Sequence, residues 1–180
     1  MPITPTYFLG LELKHLAATV NASACWRALV AQPTYTLENL FTLADAGTSN
    51  EANGLAAIHK GVIDADSVTY PLCIIGHMTD GMIDRISAGE FQRQGLYIVQ
   101  WEVQIPTTYD SDIKEGQEYW REVLGRIIVE MQAAVRTSPA GKLDIHQIGI
   151  EYGLVEPDRD NNGRRVGLAR VVFQSVGENE

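Results

Sequence analysis

The chain has 180 residues, 45% of them hydrophobic, which suits one globular domain with a full core. Fourteen Lys and Arg stand against 23 Asp and Glu, a formal charge of −9. That balance favours solubility and argues against a protein that grips nucleic acid, because phosphate binding needs clustered cations. Two cysteines, Cys25 and Cys73, have no C-x-x-C partner and read as free buried thiols in a reducing compartment. Met1 to Gly10 lacks the basic start of a signal peptide, and no apolar run reaches membrane-spanning length, so folding in the cytoplasm is expected.

In chain order, residues 6–31 read as helical in two pieces. Leu9, Leu13, Leu16 and Val20 mark one face of the first, and Asn21 and Ser23 provide a stop and a new cap. The second piece carries Trp26, Leu29 and Val30, and Pro33 closes it. Residues 34–69 read as an irregular, exposed excursion, because Gly47, Ser49, Asn50, Asn53 and Gly54 interrupt two short apolar pieces. The core is expected over 70–176. Tyr70 to Gly76 reads as an apolar strand and His77 to Gln94 as a polar connection. Then Tyr97, Val99, Trp101, Val103 and Ile105 alternate with Gln100, Glu102 and Gln104, the pattern of a half-buried antiparallel strand.

Asp112 and Glu115 have capping-box spacing ahead of a long amphipathic helix. Its apolar stripe runs through Ile113, Trp120, Val123, Leu124, Ile127, Ile128, Met131 and Val135. Glu118, Glu122, Arg126 and Glu130 form the opposite face, with Glu122 and Arg126 as an i, i+4 ion pair. Ser138 to Gly141 stops the helix. Alternation from Ile148 to Leu154 and a return strand from Val166 to Val176 predict a hairpin, with Glu156 to Gly163 as its tip. The predicted fold is α+β in two layers, a mainly antiparallel sheet with the long helix on one face.

Few residues suggest chemistry. Asp158, Asp160, Asn162 and Gly163 copy the first half of a calcium loop, but the twelfth position is Ala169 instead of a bidentate Glu. His77, Asp80 and Cys73 could furnish a small hydrolase, yet no nucleophile elbow accompanies them. The four histidines lack ligand spacing, and no glycine-rich phosphate motif occurs. No catalytic residue, cofactor or metal is therefore expected. Arg164 and Arg165 are the one adjacent basic pair.

From Tyr70 to Val176 the order of features resembles the tail terminator proteins of long-tailed bacteriophages. Tyr70-Pro71-Leu72 opens the match, a glycine-bearing polar segment follows, and then an alternating strand from Leu96 to Ile105. A loop from Pro106, the long helix from Asp112 and the terminal hairpin complete it. The resemblance implies a structural virion protein of the tail or neck, forming a ring of typically six subunits. Such a ring would cap the tail tube, end its polymerisation and join it to the head connector. Its partners would be itself, the tube protein and the connector, with DNA passing only through the lumen and no membrane involved. Candidate interface residues are Arg85, Glu90, Arg93, Asp158, Arg159, Asp160, Arg164 and Arg165. The alternatives are another neck or tail-tube component, the hydrolase built on His77, Asp80 and Cys73, and an adaptor module.

Overall fold

Ser23 divides the N-terminal helical region. It N-caps a second helix by accepting from the Trp26 amide at 3.0 Å, so α1 (Phe8–Ala22) ends and α2 (Ala24–Ala31) begins around it. The structure, a computed structural model, describes residues 8–47, 51–60, 69–77, 82–87, 90–136, 143–155 and 165–179. The expected helix stop at Ser138 to Gly141 and the hairpin tip at Glu156 to Gly163 lie outside them.

Among the described residues, the excursion expected over 34–69 is instead largely regular. It holds α3 (Leu37–Asp45), α4 (Glu51–Ala56) and strand β1 (Ile58–Lys60). Thr36 caps α3, and Leu40 and Ala44 bury one side of it against the core. Gly54 in α4 is buried against Asn21 and Arg27, and its carbonyl accepts from the Trp26 indole N–H at 3.1 Å. Short elements set among turn formers carry too little periodicity to stand out in sequence; packing on the Trp26 helix orders them.

The polar connection expected from His77 to Gln94 is also corrected. After β2 (Leu72–His77) it contains β3 (Met82–Ser87), and β4 begins at Glu90 and continues to Gln104. At about 3.3 Å per residue, β4 is a rod roughly 50 Å long. β2 and β3 share one edge of β4, β3 beside Glu90 to Gln94 and β2 beside Tyr97 to Glu102. After a 3-10 turn at Thr107–Tyr109 comes α5 (Ile113–Arg136), then β5 (Leu143–Val155) and β6 (Val166–Asn179). The sheet order is β1-β2-β4-β6-β5 with β3 on β4; β1 joins parallel and every other pairing is antiparallel. The fold is thus α+β, as the sequence predicts.

The helices cover one face. Tyr97, Val99, Trp101, Val103 and Ile105 of β4, with Ala169, Val171 and Phe173 of β6, form the sheet side of the core. Trp26 and Leu29 of α2 and Trp120, Val123, Ile127 and Met131 of α5 form the helix side. Trp120 is fully buried and donates to the Leu168 carbonyl at 3.1 Å, while Gly167 provides the flat place on which its ring lies. Ile113, expected on this stripe, is 45% exposed.

The polar side of α5 differs from expectation. Arg126 pairs with Glu130 at 2.9 Å and with Asp45 of α3, not with Glu122. Glu130 turns inward to cap α2, accepting from Ser23 Oγ at 2.7 Å and from the Cys25 amide at 2.9 Å. A carboxylate at a helix N-terminus meets unsatisfied amides and the positive end of the dipole, which a surface partner at Glu122 could not offer.

Candidate interaction surface

Besides the short free edges of β1 and β3, two larger features of the sheet are uncovered among the described residues. The first is the outer edge of β5. Twelve of the strand's thirteen residues pair with β6 on one side, and no described strand pairs on the other. The strand contains neither Lys nor Pro, two common protections of an edge. A bulge lies between Gln147 and Gly149, after which Ile150 to Val155 pairs regularly with β6. On this stretch Ile150 is 44% exposed.

The second feature is the sheet face away from the helices. Ile74, Ile98, Gln100, Glu102, Leu168 and Val172 are half-buried there and Arg170 is exposed. Registers place Ile74, Gln100, Arg170 and Glu151 on one rung across four strands. Arg170 donates from Nε to Gln100 Oε1 at 2.7 Å, and Gln100 in turn donates to Glu102. The polar members fix one another's rotamers, and the flanking aliphatic side chains leave mixed, contact-ready chemistry.

Of the interface residues expected from sequence, the four that are described fall in two distant places. Arg85 opposes Phe91, Glu90 opposes Ser87, and Arg93 opposes Ile83 on one side and Gly177 on the other. All three belong to the end of the sheet where β3 joins β4. Arg165 sits at the opposite end, next to Val166, which pairs with Gln104. Its guanidinium reaches Asp110 Oδ1 at 3.2 Å and the Asp110 carbonyl, and its own carbonyl accepts from the Ile105 amide at 2.9 Å. Arg165 therefore ties the turn before α5 to the start of β6. Asp158, Arg159, Asp160 and Arg164 lie outside the described residues.

The hydrolase reading fares differently at each of its residues. Cys73 is on β2 opposite Trp101, fully buried, and burial pushes its thiol well above the usual range. A protonated, enclosed thiol is a poor nucleophile. His77 ends β2 opposite Tyr97, and Asp80 lies outside the described residues. Both cysteines are free and buried. Burial first, then the nearby Glu130 carboxylate, raises Cys25 to about 12. Arg126 titrates above its ordinary value: burial works to lower it, but its hydrogen bonds to Asp45 and Glu130 prevail. Among the described residues no group of three or more His, Cys, Asp or Glu could hold a metal, and no helix is long and apolar enough to cross a membrane.

Sequence reasoning missed Ile150 as an exposed edge residue and Arg170 as the centre of a polar rung. The alternation of β4 already set Gln100 and Glu102 on the outer face, but their partner became visible only through the β4–β6 register. No protein-family model matches the chain, and no curated protein matches it.

Proposed function

We propose that this protein is a structural subunit of a bacteriophage tail that closes into a ring, capping the end of the tail tube, ending its growth and presenting a surface to the head connector. The observation that carries the reading is the long outer edge of β5, regular from Ile150 to Val155 and bearing an exposed isoleucine. An edge of this length without Lys or Pro, regular beyond its bulge, is a template for another chain. One edge contact repeated head to tail is a heterologous interface, which either closes into a ring or grows into a fibre. The order of elements from Tyr70 onward, with its resemblance to tail terminators, favours closure.

A formal charge of −9 per subunit would accumulate around such a ring. DNA passing through would meet a repulsive average field instead of phosphate clamps, consistent with a conduit that does not retain its cargo. The test is genetic. In the phage that encodes the protein, deletion of the gene should yield overlong or uncapped tails and unattached heads, and adding purified protein to the lysate should restore joining. Normal tails and infectious particles after deletion would refute the assignment.

A further inference from the structure

On the solvent side of α3 and α5, two adjoining depressions of about 470 Å³ and 300 Å³ share Glu122. The larger is lined by Leu37, Tyr109 and Tyr119 and rimmed by Glu115, Glu118 and Glu122. The smaller continues between Phe41, Gly125 and Val129 and is flanked by Arg121 and by Arg126. The charge of Arg126 is taken up by Asp45 and Glu130, and its guanidinium lies over the Phe41 ring, so the acidic character belongs to the larger depression. Val129, in the middle of the long helix, is 65% exposed. A Cβ placed on Gly125 would meet nothing within 4 Å, so the groove is open above the helix at that point. Glycine weakens a helix interior, and here it brings the backbone surface within reach of an incoming chain.

The charge of the groove is one-sided at the larger depression. Glu118 meets Lys114 at 3.9 Å, with both side chains mostly exposed, a weak pair. Glu115 accepts only from Ser111 Oγ at 3.1 Å, and Glu122 has no ion pair among the described residues. Beneath them the Tyr109 and Tyr119 rings stack with centroids 4.8 Å apart. Tyr119 is almost fully buried, yet its hydroxyl finds no hydrogen-bond partner among the described residues.

We propose that this groove docks a short amphipathic segment of a partner protein bearing Lys or Arg. Its aliphatic side chains would lie on Leu37 and Val129, along the edge of Phe41 that Arg126 leaves open, and its cation would enter among the three glutamates beside the tyrosines, where carboxylates and aromatic rings both favour positive charge. Charge selects the occupant. A basic segment is attracted by the three glutamates of the rim and by the whole molecule, which carries −9. The proposal is independent of ring closure, since the groove lies among the helices and the edge lies on β5.

The test uses the full chain and a fluorescein-labelled amphipathic helix-forming peptide with leucine on one face and arginine on the other, read by fluorescence anisotropy. Saturable binding to the wild type is expected. Gly125→Leu fills the groove without changing charge and should weaken binding by about tenfold or more, and Glu122→Gln should weaken it and flatten its salt dependence. Glu51→Gln, on α4 away from the groove, controls for general attraction to an acidic protein. Circular dichroism melting of each variant separates lost binding from lost folding. A wild type that does not bind, a Gly125→Leu variant that melts normally and binds like wild type, or an equal loss from Glu51→Gln would each overturn the proposal.

Discussion

Glu130 shows how one side chain can join three helices. Its carboxylate caps α2 through Ser23 and the Cys25 amide while pairing with Arg126, which reaches on to Asp45 of α3 and lies 4.7 Å over the Phe41 ring. Glu130→Ala removes the acceptor and leaves a buried hydroxyl and amide unpaired, so it should cost about 1–3 kcal/mol of unfolding free energy in denaturant titration. Glu130→Gln, which keeps one acceptor oxygen, should cost less. The two thiols provide a second prediction. Both should resist a thiol-specific reagent in the native protein and react on unfolding. Their titration also fixes a sign. Cys25 moves from an ordinary 9.0 to about 12 in the fold, and Cys73 moves in the same direction. The unfolded chain loses these protons first, so stability should fall as pH rises from about 9 toward 12. A Cys25→Ser, Cys73→Ser double variant should show a shallower fall over that window.

At the scale of elements, α5 meets the sheet through Trp120 and Gly167. A Cβ built on Gly167 would stand 2.8 Å from Trp120 Cγ, so the indole occupies the volume that any other residue would need. Gly167→Ala should therefore destabilise by about 1–3 kcal/mol through overpacking, and Trp120→Ala by about 3–5 kcal/mol through the cavity left behind. Thermal melts near wild type for both would overturn this packing. The stripe that carries Trp120 was legible in sequence because a 24-residue helix repeats its period many times. The β4 alternation and the Ser23 break were legible for the same kind of reason, being local patterns. α3, α4 and β1 were not, because six- to nine-residue helices and a three-residue strand owe their order to the distant surface of α2 and to pairing with β2. β3 and the first half of β4 were hidden by polar residues such as Asp84, Arg85, Gln92 and Arg93, whose strand character comes from pairing across the sheet. The Glu130 cap was invisible because its partners lie 105 and 107 positions away.

For the whole molecule, the proposed assembly rests on the edge of β5. The four described candidate interface residues, Arg85, Glu90, Arg93 and Arg165, are split between the two ends of β4, whereas the β5 edge runs regularly from Ile150 to Val155 beside an open sheet face. Ile150→Asp places a charge on an exposed side chain of that edge and should leave the melting temperature near wild type, since surface substitutions away from special features change stability little. It should nevertheless weaken a subunit contact that desolvates the position. The most direct measurement of the central claim is mass by light scattering on the eluting protein, wild type beside Ile150→Asp. The account predicts a wild-type particle near six times the 19.8 kDa of one chain and a folded Ile150→Asp that elutes smaller. A wild type that remains at the mass of a single chain over the whole concentration range, and on added tail tubes, would contradict it.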